Sequence, residues 1–111
     1  MSTQRQTNFT LKEILQLLKV KDRTYPGCML LNEIGMICIE QKDEKAEKCL
    51  LSFLNDPNPG FRAISFCYLF CAKELQEKHN LILAEFRVNP ANQTLNKDID
   101  IMIIKFKEKF G

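Results

Sequence analysis

The 111-residue chain has no tryptophan, one histidine and four glycines, and each scarcity excludes some chemistry. Gly27, Gly35, Gly60 and Gly111 are scattered, so there is no glycine-rich loop to cradle a phosphate. His79 lies between Lys78 and Asn80 with no recognisable acid or nucleophile beside it, which removes the usual base for a reactive Ser or Cys. No Cys-x-x-Cys pair occurs. No apolar run approaches the roughly 18 residues of a membrane span, and the start, Met-Ser-Thr-Gln-Arg-Gln-Thr-Asn, lacks the apolar centre of an export signal. The expectation is a soluble, cytoplasmic protein that is not an enzyme, holds no cofactor and does not sit on a membrane. A carboxylate pair such as Glu40 and Asp43 is the one acid-catalytic arrangement left open.

Charge of one sign is also lacking. Sixteen Lys and Arg against fourteen Asp and Glu leave +2, too little to attract nucleic acid in general. Lys12, Lys19, Lys21 and Arg23 near the start and Lys105, Lys107 and Lys109 near the end are basic clusters, but Glu13, Asp22 and Glu108 are interspersed, so solvated helix faces are expected.

Five cysteines are present, and the odd count disfavours a disulfide framework. Cys28, Cys38, Cys49, Cys67 and Cys71 each lie in an apolar stretch, as free buried thiols do. Cys67 and Cys71, four apart on one helix, could face a metal with Cys38 nearby. Their setting among Phe, Tyr and Leu favours core packing, so no metal is expected.

Helical periodicity runs through what remains. Thr10 and Glu13 form a capping box, with Phe9 placed to staple onto Ile14, and Ile14, Leu15, Leu17 and Leu18 follow as an apolar face. After the polar run Lys19 to Thr24, interrupted by Val20, Tyr25-Pro26-Gly27 opens a second helix. Its face is Met29, Leu30, Ile34, Ile37 and Cys38, widened by Leu31, Met36 and Ile39. Gln41-Lys42-Asp43-Glu44 breaks the pattern, with Asp43 as the next N-cap. Ala46, Cys49, Leu50, Phe53 and Leu54 then give a core stripe running to about Asn55.

The stiff turn Asp56-Pro57-Asn58-Pro59-Gly60 leads into a fourth helix, expected from Pro59 to about Glu77. Between Phe61 and Ala72 only Arg62 and Ser65 are polar, so this helix is expected at the centre of the domain. Its apolar surplus is covered either within the chain or by a second copy in a homodimer. Gly35 is read as a point of close helix approach. In the last third, Leu81 to Val88 and Ile99 to Phe106 carry some strand-like alternation, but the spacing Ile99, Met102, Ile103, Phe106, Phe110 favours helix. Asn89 to Thr94 is then the turn, and Thr94 or Asn96 the cap.

These elements pair into three hairpins, about 10–41, 43–78 and 79–110, in a single domain over 9–111 behind a flexible tail, 1–8. Ile14-Leu15 and Leu50-Leu51 are 36 residues apart and Pro26-Gly27 and Pro59-Gly60 are 33 apart, a period in the range of paired-helix arrays. Asp56, four intervening residues and then Phe61-Arg62-Ala63 resembles the turn of a HEAT repeat over about residues 44 to 75. The first hairpin departs from that pattern, with Arg23 and Met29 where Asp and Arg belong. The resemblance implies an all-α, short right-handed α-solenoid of three stacked hairpins, in which Asp56, Pro57 and Arg62 are structural turn residues. It also implies that second helices line the binding side, giving Asn32, Glu33, Ser65, Tyr68 and Asp100 as candidate partner contacts. The expected function is a protein-interaction scaffold or adaptor with a protein partner. The alternatives are a nucleic-acid-binding or repair-related HEAT-like domain and an inhibitor of the immunity-protein kind.

Overall fold

The computed structural model describes residues 10–18 and 25–110. Residues 1–9, 19–24 and 111 lie outside them, and with them the expected flexible tail and the Phe9 staple. Among the described residues there are seven α-helices and no strand: α1 Leu11–Leu18, α2 Tyr25–Gln41, α3 Glu44–Phe53, α4 Pro59–Cys71, α5 Lys73–Lys78, α6 Asn80–Val88 and α7 Leu95–Phe110, with a 3₁₀ turn at Pro90–Asn92. No helix among them is long and apolar enough to cross a membrane.

Side chains close the helix starts where short polar residues precede apolar runs. The Thr10 N–H donates to Glu13 Oε1 at 2.8 Å and the Glu13 N–H donates back to Thr10 Oγ1 at 3.2 Å, so two orphan donors are satisfied reciprocally. Asp43 caps α3 by accepting from the Ala46 N–H at 3.0 Å. In the α3–α4 turn Asp56 accepts from the Asn58 N–H at 2.9 Å, and Asn58 then accepts from the Gly60 and Phe61 N–H groups at 2.8 and 3.3 Å. Pro59 takes the first helical position, where a missing N–H costs nothing.

One local expectation is corrected and two are met in part. The fourth helix stops at Cys71 because Ala72 is extended (φ −87°, ψ 112°), and α5 starts beyond it. Of the two cap candidates for α7, Thr94 stands just before the first helical residue, Leu95, while Asn96 lies inside the helix and donates from Nδ2 to the Arg87 carbonyl at 2.9 Å. On α2, Ile34, Ile37 and Cys38 are buried as expected, with Leu31 and Met36 beside them, but Met29 is more than half exposed and does not belong to the core face.

Helix α4 is the hub. It packs against α2, α3 and α7, while α1 and α3 also pack on α2. Phe61, Phe66, Cys67 and Leu69 are wholly buried, so its apolar surplus is covered within one chain. Each fully buried Phe or Leu side chain is worth roughly 1.5–3 kcal/mol of transfer free energy, which makes α4 the main source of core stability. Phe53 meets Phe61 edge-on at 5.6 Å, Phe86 meets Phe66 at 4.8 Å, and Phe106 meets Tyr68 edge-on at 4.8 Å. Aromatic contacts therefore tie α3, α6 and α7 to the one central helix.

Candidate binding surface

The candidate contacts fall into two separate places. Asn32 and Tyr68 come together: the Tyr68 hydroxyl donates to Asn32 Oδ1 at 2.7 Å, and Asn32 Nδ2 donates to the Cys28 carbonyl at 3.0 Å. Tyr68 is 2% exposed, and a Cβ built on Gly35 would stand 2.5 Å from its ring. The ring thus lies directly on the α2 backbone, which only glycine permits. Ser65, one turn earlier on α4, is fully buried, and its hydroxyl finds no partner among the described residues. Ser65 and Tyr68 are inside the molecule and present nothing to a partner, a correction that follows from the packing of α2, α3 and α7 against α4. Glu33 is half-buried on α2. Asp100 is exposed on α7 and accepts from Arg87 Nη2 of α6 at 2.8 Å.

The turn residues are engaged as a unit. Arg62 Nη1 donates to the carbonyls of Asp56 and Pro57 at 2.8 and 3.1 Å, and its Nε donates to Asn92 Oδ1 at 3.0 Å. Asn92, 3% exposed, donates from Nδ2 to the Phe86 carbonyl at 3.1 Å. One guanidinium therefore ties the α3–α4 turn to the α6–α7 turn, a role that a planar fork of donors fills better than an ammonium.

A polar cluster absent from the sequence reading joins α3 to the α5–α6 junction. His79 Nε2 donates to Glu47 Oε2 at 2.6 Å, and Lys78 Nζ reaches the same oxygen at 2.9 Å. The His79 side chain is 11% exposed, and its acid partner is distant in sequence, on α3. Burial alone would raise the Glu47 carboxyl, but the hydrogen bonds from His79 and Lys78 and the Lys78 charge outweigh it and hold the pKa below its ordinary value. Beside this cluster a cavity of about 360 Å³ is lined by Cys38, Ile39, Lys42, Leu75 and Lys78 among others. Lys42 at its lip has φ +53°, a left-handed conformation that ends α2.

Reactive groups are scarce. All five thiols are free, and burial raises every one, Cys38 to about 11 and Cys67 to about 12. A nucleophilic cysteine needs the opposite shift. Among the described residues no group of three His, Cys, Asp or Glu side chains could hold a metal. Glu40 is exposed and Asp43 is committed to its cap.

The least expected feature is apolar surface on the last two helices. Leu81 and Val88 of α6 are 77% and 73% exposed, and Ile101 and Ile104 of α7 are 57% and 60% exposed. Leu81, Ala84 and Val88 recur at i, i+3 and i+7 and share one face of α6, as Ile101 and Ile104 share one face of α7. Periodicity could have flagged the stripe on α6, but not that Leu83 and Phe86 turn inward and leave it outside. Comparison of the chain with protein-family models, curated proteins and solved structures finds no match.

Proposed function

We propose that this chain is a non-enzymatic, cytoplasmic protein-interaction module, a short array of HEAT-like hairpins that holds a partner protein on one face. The observation carrying this reading is the exposed aliphatic surface of α6 and α7, four side chains each more than half in water. Single exposed apolar residues are ordinary, but stripes on neighbouring helices mark a surface that something covers. Support for stacked hairpins comes from the packing of α1 on α2 and α3 on α4, and from α4 touching both α2 and α7, as second helices of successive units do. The Arg62 link between two turns serves the same arrangement.

Affinity capture from the native cell tests the reading. A discrete protein retained through high-salt washes is the expected result. Recovery of nucleic acid that is lost steeply as salt rises would contradict it, because phosphate contacts release counterions.

A further inference from the structure

α6 and α7 are not in close backbone contact along their lengths. They are tied near their turn, where Asn96 donates to the Arg87 carbonyl and Arg87 pairs with Asp100. Beyond that tie α6 stands over α4 with a slot between them. Phe66 and Phe70 of α4, stacked at 5.4 Å, meet Leu83, Ala84 and Arg87 of α6, and Gln76 and Asn80 close one end. The slot holds about 160 Å³, close to the roughly 150 Å³ apolar cavity that accepts a benzene ring. It therefore has room for one large apolar side chain.

Its rim is basic. The Arg87 guanidinium lies 4.9 Å from the Phe66 ring centre, and Lys107 Nζ lies 5.8 Å from the Phe70 ring centre. Arg87 is matched by Asp100, but Lys107 pairs with no carboxylate among the described residues. Asp100, Ile104 and Lys107 lie at i, i+4 and i+7 on α7, so Ile104 falls between the two charged groups on the side facing α6. On α6 the apolar surface continues outward from the slot through Ala84 to Leu81 and Val88, one face of the helix at i, i+3 and i+7. Asn80 to Arg87 spans seven residues of helix, about 10 Å, the reach of two turns of a docked helix.

We infer that this slot is the anchor point for an acidic amphipathic helix of a partner protein, which seats one large apolar side chain against Phe70 and Ala84, with the buried Phe66 ring behind them, and sets a carboxylate beside Lys107. This rests on the interaction-module reading and gives it a site and a partner chemistry. Charge chooses the occupant: Asp100 is already paired with Arg87, and the Lys107 ammonium beside the Phe70 ring is left to select an Asp or Glu flanking the anchor. Leu81 and Val88 add apolar area outside the slot, as the weaker contacts around a hot spot do.

Selection of a random 16-residue peptide display library on the folded protein tests the inference. Enriched peptides are expected to carry apolar residues at helical spacing flanked by Asp or Glu. Ala84→Trp, which fills the slot from an exposed position, abolishes their binding, and Lys107→Glu weakens it about 5-fold or more. Both positions are exposed, so circular dichroism should show the wild-type fold in each variant. Enriched peptides that lack acidic residues, or that bind both variants as they bind the wild type, overturn the slot while leaving the interaction-module reading to the capture experiment. Failure to enrich any peptide overturns the slot as well. So does a wild-type dimer in light scattering that Ala84→Trp dissociates, because the slot then belongs to a second copy.

Discussion

The Tyr68 hydroxyl on α4 donates to Asn32 Oδ1 on α2 at 2.7 Å, and the ring behind it rests on Gly35. The two helices are thus registered by one hydrogen bond and one missing side chain. Gly35→Ala gains up to about 1 kcal/mol of helix propensity, but the new methyl meets a ring backed by Phe106. Overpacking of about 1–3 kcal/mol outweighs that gain, so a net loss of stability is expected in urea unfolding. Tyr68→Phe keeps the ring and costs about 1 kcal/mol for the lost bond. Its combination with Asn32→Ala should be clearly non-additive, and strict additivity would show that the bond contributes nothing.

Arg62 serves two turns at once, so its loss should be felt in both. Arg62→Lys keeps the charge but loses the fork that reaches Asp56, Pro57 and Asn92 together. A loss of about 1–3 kcal/mol is expected, with Asn92→Ala coupled to it in a double-mutant cycle. Hydrogen exchange should rise at the start of α4 and around Pro90–Asn92 in the same variant. Faster exchange at only one of the two turns would contradict a shared tie.

The Glu47 carboxyl has a folded pKa below its ordinary value of 4.5. A group depressed in this way contributes its full stability above the unfolded value, and the contribution fades as pH falls through the lower folded one. Glu47→Gln should therefore be less stable than the wild type at pH 7, and the gap should narrow below about pH 4. Denaturation midpoints of the two proteins from pH 3 to pH 7 check this, and a gap that widens on acidification would contradict the assigned pairing.

The buried thiols offer a kinetic check. With Cys67 pushed up to about 12 and Cys38 to about 11, almost no thiolate exists at neutral pH, and Cys67 is wholly buried. Ellman's reagent should label Cys67 and Cys38 far more slowly in the native state than in denaturant, where all five cysteines react. Rapid native labelling of Cys67 would reveal an opening of α4 that this packing does not allow.

The legibility of this structure in its sequence follows the range of the forces involved. The capping box at Thr10 and Glu13, the Asp43 cap and the Asn58 turn are local, and short polar side chains beside apolar runs announce them. The apolar run from Phe61 to Ala72 announced a buried central helix, and Gly35 announced a close approach. The break at Ala72 left no trace, because Ala-Lys-Glu-Leu is good helix sequence and the extended Ala72 is a product of tertiary packing. Ser65 and Tyr68 were candidate contacts because the HEAT resemblance puts second helices on the binding side, whereas α2 and α7 pack on α4 and both residues are buried. The slot over Phe66 and Phe70 was not legible either, since it depends on how far α6 and α7 diverge.

The exposed face of α6 and α7 is the centre of the account, and binding of the captured partner to a double variant tests it most directly. Leu81→Glu with Ile101→Glu places two charges on side chains already in water, so the fold and its circular dichroism should persist. The partner should bind this variant at least about 10-fold more weakly than the wild type in titration calorimetry, since docking would then bury two unpaired carboxylates in an apolar contact. Equal affinity for the two folded proteins would contradict the assignment of this face as the binding surface.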